Sequence, residues 1–219
     1  MKFLDELFDH FRKKRHLNTF VILTRYLIGF AFIPSGLTKV LNERFTRIST
    51  DNPIGFFFEG LYQSGVFWQF IGWSQLIAAF LLMTQRFASI GALLYLPLIT
   101  SIWIITCSMH FTGTWLITSL MFLACLGLIA WDYQKWKALF YPDNFTLLSN
   151  KTPYPTYSRN WIIVGLILFF WSLFGAWYSH GSKVRGLYIL MGLGLNTLLV
   201  LGTFFIEEWN YAKTTKPRS

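Results

Sequence analysis

The sequence has few charged residues. Only 13% of its 219 residues are Asp, Glu, Lys or Arg, whereas 54% are hydrophobic and 20% are aromatic. Soluble domains carry about 25% charged residues, so this composition excludes an ordinary soluble domain. Several apolar runs reach the roughly 20 residues that a helix needs to cross about 30 Å of hydrocarbon. The composition therefore predicts a polytopic membrane protein.

Cysteine is scarce as well. The two cysteines, Cys107 and Cys125, fall at different depths of neighbouring predicted spans. A disulfide needs Cα atoms within about 7 Å, so we expect two free thiols. The sequence also contains no metal-spaced His/Cys cluster and no glycine-rich phosphate loop. It therefore predicts no metal site, and it leaves any catalytic residue unknown.

Six apolar runs are long enough to be spans. Because unpaired backbone groups find no water inside a bilayer, each run is expected to form a helix. The predicted fold is all-α: a four-helix transmembrane bundle followed by two additional C-terminal transmembrane helices. The predicted spans are about 17–41, 66–84, 87–109, 111–131, 160–179 and 184–206.

The predicted organisation has four parts. A basic cytoplasmic leader covers 1–16, and the four-helix membrane core covers 17–138. A Pro- and Tyr-rich cytoplasmic tether covers 139–158, because proline at that density favours extended or turn backbone. The two-helix membrane appendage with its basic tail covers 159–219.

Basic residues are unevenly distributed between the two sides of the predicted topology. Thirteen Lys and Arg residues fall on the side of the termini and four on the other side. The positive-inside rule therefore predicts a bacterial inner-membrane protein with both termini in the cytoplasm. The net charge of +9 is explained by attraction to anionic membrane lipids, without a nucleic-acid partner.

The first span carries two cations on one helical face. At 100° per residue, this stripe is charged at both ends and contains two glycines between them. Lys39 lies near the outer end of the span, where its side chain is expected to extend to water. The stripe consists of Arg25, Gly29, Phe32, Gly36 and Lys39.

Arg25 lies deeper in the span and has two alternative interpretations. Its side chain either extends back to the headgroups or faces the bundle as a functional residue. All ten acidic residues fall in loops or at span edges. For the buried alternative we therefore expect a partner other than an acid: backbone carbonyls, Gln75, a bound lipid or a substrate anion.

Three segments together resemble the DoxX-like membrane protein family, over about residues 20–140. The first is RYLIGFAFIPSGLTKV, with an arginine, then glycine and aromatics, then Ser-Gly-x-x-Lys. GWSQLIAAFLLMTQRFASIGALL and CSMHFTGTWLITSLMFLACLGLIAWDYQKW follow in order, and Gln75 stands where an acid is often found. The resemblance implies a four-helix membrane bundle. The family positions would be Arg25, Ser35, Gly36, Lys39, Gln75, Arg86 and Asp132.

The resemblance implies a small membrane subunit of a quinone-linked or envelope redox complex, with a membrane or envelope protein as partner. The cofactor is left unknown, with quinone as the candidate. Its site would lie at the outer face and be lined by His110 and His180, in the two outer turns, and by Trp68, Trp103, Trp115 and Trp177. Two alternatives remain: a non-enzymatic scaffold or assembly factor for envelope proteins, and a small transporter of a lipid-like or anionic solute. Whether the protein is an enzyme stays open. The candidate ligand-binding residues are Arg25, Gly36, Lys39, Gln75 and His110.

Overall fold

The computed structural model describes residues 10–133, 135–136, 158–179 and 185–215. These residues form helices and turns, and no strand occurs among them. In chain order the helices are α1 (Arg15–Val40), α2 (Pro53–Gln63), α3 (Val66–Met83), α4 (Ala88–Ser108), α5 (Thr114–Trp131), α6 (Arg159–Tyr178) and α7 (Arg185–Thr215).

Among the described residues, five helices are long and apolar enough to cross a membrane: α1, α3, α4, α5 and α6. They coincide with the first five predicted spans to within a few residues. The described residues are thus helical, as predicted, and the five long apolar helices are compatible with the predicted membrane bundle. The sixth predicted span, 184–206, lies in α7 from residue 185 onward, and its crossing of the membrane stays a prediction.

The spans pack as a bundle in which α1 contacts α3, α3 contacts α4, and α4 contacts α5. α6 lies against α1 and α3, and α7 packs on α6. Buried side chains from α6, including Trp161 and Leu168, join the same apolar core as those of α1, α3, α4 and α5. Large apolar residues such as Phe70, Leu120 and Phe170 point outward, as expected for surfaces that face lipid.

Glycines bring α1 and α3 into close contact. A Cβ atom on Gly72 would lie 2.7 Å from the carbonyl oxygen of Gly36. A Cβ atom on Gly29 would lie 3.2 Å from the carbonyl oxygen of Ala79. Small residues permit this approach of two backbones in a membrane bundle. The two contacts define an antiparallel register that places Arg25 beside the last turn of α3.

α1 is longer than its partners. It has 26 residues, whereas α3 and α5 each have 18. At 1.5 Å per residue, α1 therefore continues for about two turns past the ends of α3 and α5. The start of α1 instead contacts the end of α7, where Arg15 Nε lies 3.3 Å from Glu208 Oε1. Tyr26 donates a hydrogen bond to the carbonyl oxygen of Trp161, at the start of α6.

Two predicted parts of the chain lie mostly outside the described residues. They are the basic leader, 1–16, and the tether, 139–158. The division into core, tether and appendage stays a prediction.

Candidate functional site

Polar side chains collect at the two opposite ends of the bundle. We call the end that holds Arg25, Gln85 and Asp132 the Arg25 end. We call the end that holds Ser35 and Lys39 the Lys39 end. α1 contributes a cation to both ends, because it runs the full length of the bundle.

At the Arg25 end, an ion pair is buried between helices. Arg25 Nη2 lies 3.2 Å from Asp132 Oδ2, and Arg25 Nη1 donates a 3.1 Å hydrogen bond to Gln85 Oε1. The side chains of Arg25 and Asp132 are only 6% and 2% exposed. Arg25 therefore faces the bundle and does not extend toward the surface.

The expected partner of Arg25 was wrong. Gln75 lies at the other end of the bundle, and a carboxylate, Asp132, pairs with the guanidinium instead. Asp132 caps the C-terminus of α5 and so reads as a loop residue in the sequence. Because α1 extends past α5, the cap of α5 and the turn after α3 lie at the level of Arg25. The charged side chain inside one span, Arg25, thus contacts a residue at the end of another span, Asp132.

Further polar groups join this ion pair. Ser89 donates a 2.7 Å hydrogen bond to Asp132 Oδ2, and Lys135 Nζ lies 3.1 Å from Asp132 Oδ1. Gln85 adopts a φ of 59°, a left-handed conformation that is uncommon for a residue other than glycine. The network connects α1, the α3–α4 turn, α4 and the end of α5. Its ion pairs and hydrogen bonds hold these elements together.

At the Lys39 end, the ammonium group is also buried. Lys39 is 6% exposed, and Nζ donates to Ser35 Oγ at 2.7 Å and to the Ser35 carbonyl oxygen at 3.1 Å. Nζ lies 4.6 Å from the ring centroid of Phe45 and 5.0 Å from that of Trp68. Ser35 Oγ in turn lies 3.4 Å from Gln75 Oε1. This cluster combines a cation, a hydroxyl, an amide and two aromatic rings.

The expectation that Lys39 extends to water was wrong. Its i,i+4 spacing from Ser35 keeps both oxygens of that residue within reach of Nζ. The segment after α1 then folds over the helix end: Phe45 covers the ammonium, and the Trp68 indole donates a 2.9 Å hydrogen bond to the Glu43 carbonyl. This segment, in which the sequence shows no hydrophobic periodicity, thus covers the Lys39 end of the bundle.

The two ends differ in how their cations are neutralised. Within the described part of the chain, no carboxylate lies within ion-pair distance of Lys39, whereas Arg25 has Asp132. Among the described residues, Lys39 contacts neutral oxygens and aromatic faces. Such a group can donate hydrogen bonds to a ligand oxygen and attract negative charge.

A cleft of about 380 Å³ lies beside the Lys39 end, between the segment after α1 and α2. Arg44 and Glu59 form a two-point ion pair at its edge, with distances of 2.8 and 3.0 Å. Hydrogen bonds from Arg44 and then Gln63 lower the pKa of the Glu59 carboxyl to about 2. Phe45 lines the cleft and also covers Lys39. The remaining lining residues are Thr46, Arg47, Ile48, Ser49, Thr50, Gly55 and Phe58.

The other predicted site residues are separated by the fold. Gly36 lies in the α1–α3 contact, where Gly72 and Leu76 fill the space beside it. His110 is exposed in the α4–α5 turn with a φ of 49°, and its neighbour Phe111 lies edge-on to Phe58 of the cleft. Trp68 is the predicted tryptophan that reaches Lys39. His180, another candidate in an outer turn, lies outside the described residues.

Sequence reasoning missed several members of the two clusters. Gln85, Ser89 and Lys135 join the Arg25 end, and Phe45 joins the Lys39 end. For the three polar residues the sequence offers one signal. Each lies at or near the end of a predicted span, where a polar side chain can turn toward the bundle. Among the described residues, no group of three or more His, Cys, Asp or Glu side chains could hold a metal ion.

Comparison with known proteins gives one relative. The chain is 28% identical to an uncharacterized protein, YwoB of Bacillus subtilis (strain 168), over 124 residues. The matched region covers 53% of this chain and 79% of YwoB. No family model matches the chain, and no solved structure matches it. The chain is thus similar to a bacterial protein whose name states no activity.

Proposed function

We propose that this protein is a DoxX-like membrane subunit of a quinone-linked redox complex in the bacterial inner membrane, and that it binds the quinone at its Lys39 end. The observation that carries this proposal is the Lys39 cluster. A buried ammonium without a carboxylate partner among the described residues lies against two aromatic rings.

The chemistry of the Lys39 end suits a quinone. A quinone ring has flat faces and carbonyl oxygens that accept hydrogen bonds. Lys39 supplies the donor, and the Ser35 hydroxyl and the Gln75 amide lie beside it. Phe45 and Trp68 supply aromatic faces against which a ring can pack. Small-molecule sites typically have a small number of polar groups among apolar walls.

The distribution of basic residues supports an orientation for this site. With both termini in the cytoplasm, the Arg25 end faces the cytoplasm and the Lys39 end faces the outside. In this proposal an envelope protein docks at the outer side and exchanges electrons with the bound quinone. The Arg25 network keeps the helices aligned and does not contact the ligand.

Quinone retention tests the proposal. We would purify the wild type in mild detergent, extract bound lipids and quantify quinones by mass spectrometry. The expected result is close to one quinone per chain, with most of it lost in Lys39→Met. Lys213→Met is the matched control, because Lys213 Nζ also lies over a tryptophan, Trp209, at 5.2 Å, yet it is exposed. Wild-type protein with no more quinone than an unrelated membrane protein contradicts the proposal.

The orientation can be tested separately. Alkaline phosphatase fused after residue 219 is expected to be inactive, because the enzyme folds only outside the cytoplasm. The same enzyme inserted after Gly65, between α2 and α3, is expected to be active. The reverse pattern would place the Lys39 end in the cytoplasm and would remove the outer docking of an envelope partner.

A second candidate function is a non-enzymatic scaffold for envelope proteins. The observation that favours it is the Arg25 network, which joins four elements with its carboxylate paired inside the protein. Such a network suits a rigid support. A stable partner complex that forms equally well with Lys39→Met, in preparations without quinone, would favour this function over the first.

A further inference from the structure

We infer that the Lys39 end binds its ligand in a negatively charged form, so that the ligand class is a ring-bearing, membrane-soluble anion such as a quinone with an ionised ring oxygen. This inference rests on the proposed function and adds the charge of the ligand to it. The reasons are the burial of Lys39, the state of the nearby acids and the position of the cleft.

Burial of an isolated ammonium is unfavourable unless another group compensates the charge. Ser35 contributes two dipoles, and the rings of Phe45 and Trp68 attract the cation through their faces. These groups stabilise the ammonium but leave its net charge uncancelled. An anionic ligand oxygen would complete the site, as Asp132 does for Arg25 at the other end.

Two acidic residues, Glu59 and Glu43, lie near the Lys39 end. Glu59 is held by Arg44 in a two-point ion pair. Glu43 offers its backbone carbonyl to Trp68, and its carboxylate is not within 4.0 Å of Lys39 Nζ. Neither carboxylate therefore forms an ion pair with Lys39 in the described part of the chain.

The cleft adjoins Lys39 through the Phe45 side chain. Phe45 forms a shared wall, with the cleft on one side and the Lys39 ammonium over its ring. Arg44 and Arg47 both line the cleft, whereas Glu59 is its single acidic lining residue. An excess of positive charge at a cleft raises the local concentration of anions.

A matched pair of ligands tests the inference. 2-Hydroxy-1,4-naphthoquinone is as acidic as a carboxylic acid and is an anion at neutral pH, and 2-methoxy-1,4-naphthoquinone has a similar shape but stays neutral. We would measure both dissociation constants in detergent by quenching of tryptophan fluorescence. The hydroxy compound is expected to bind at least about tenfold more tightly to the wild type, because a charge-assisted hydrogen bond is worth about that ratio.

Four variants test whether Lys39 causes the preference for the anionic ligand. In Lys39→Met the two ligands are expected to bind equally, and in Lys39→Arg the preference for the anion is expected to persist. Glu43→Gln is expected to leave the preference unchanged, as is the matched control Lys213→Met. The Lys39→Arg variant keeps the test decisive if Lys39→Met does not fold.

The outcomes separate the two proposals. If the wild type binds both ligands equally well, the quinone site stands and the anionic ligand is overturned. If it binds neither ligand, the proposed function itself fails. If Glu43→Gln raises affinity for the anion about tenfold, Glu43 already neutralises Lys39 and the inference is overturned.

Discussion

The Arg25 end and the Lys39 end form a natural comparison, because one helix supplies a buried cation to each. Arg25 and Lys39 are fourteen residues apart on the same face of α1. Asp132 neutralises the first, and neutral groups surround the second. The role of a charged residue inside a span therefore depends on which groups of the neighbouring helices lie at the same depth.

The residue types fit these roles. The planar guanidinium of Arg25 reaches two partners on different elements, Asp132 and Gln85. The ammonium of Lys39 is a compact charge that remains close to its own helical turn, at Ser35. Arginine suits fixed, multidentate pairing, whereas lysine offers rotatable donors to a variable partner.

The largest expected effect is on the Arg25 end. Arg25→Met would leave the buried Asp132 carboxylate without its guanidinium, and removing one partner of a buried pair costs about 3–5 kcal/mol. The measurement is the free energy of unfolding in detergent. Arg44→Met, which breaks the exposed pair with Glu59, is the control and is expected to change stability far less. Equal losses in both variants would show that the Arg25 pair is not structural.

The α1–α3 contact comes next. Gly72→Ala would place Cβ at 2.7 Å from the carbonyl oxygen of Gly36, so one backbone must shift. Overpacking of this kind typically costs about 1–3 kcal/mol. Gly175→Ala, within α6, meets no atom within 4 Å and is expected to be neutral or stabilising by at most about 1 kcal/mol. A stable Gly72→Ala variant would mean that the helices cross less closely.

A smaller effect is expected at the Lys39 end. Lys39→Met replaces a buried cation by an apolar chain of similar length, a change that is often neutral or stabilising. The free energy of unfolding of this variant is expected to be unchanged or higher, in contrast with Arg25→Met. A loss of more than about 3 kcal/mol would show that Lys39, like Arg25, has a structural counter-charge.

The smallest effect concerns the exposed Arg44–Glu59 pair. The pKa of Glu59 is lowered to about 2, so its contribution to stability is fully present above the ordinary value of about 4.5. That contribution is lost as the pH falls through about 2, because the carboxylate becomes protonated. Comparing the wild type with Glu59→Gln at about pH 6 and about pH 3 is expected to show a small stability advantage that shrinks at the lower pH. An advantage that grows at low pH would contradict the pairing.

Apolar run lengths were enough to predict five spans, because the bilayer dictates both the length and the helical conformation of a crossing segment. The partner of Arg25 was not predictable in the same way. Asp132 follows α5 by one residue, and only the unequal lengths of α1 and α5 bring it to Arg25. Helix register is a tertiary property, set here by contacts such as that between Gly36 and Gly72.

The Lys39 end was predictable in part. Lys39, Gln75 and Trp68 could be named, since polar and aromatic residues at span ends are visible in the sequence. Their arrangement was not, because Phe45 comes from a connection without hydrophobic periodicity. The burial of Lys39 depends on the fold of that connection over the helix end.

The shortness of α3 and α5 has a consequence for the surrounding bilayer. Eighteen residues span about 27 Å, slightly less than the usual hydrocarbon thickness of about 30 Å. A hydrophobic stretch that is too short is accommodated by local thinning of the lipid or by flanking side chains that reach the interface. A bilayer around α3 and α5 is therefore expected to thin locally, whereas α1, with 26 residues, is long enough to cross the usual thickness.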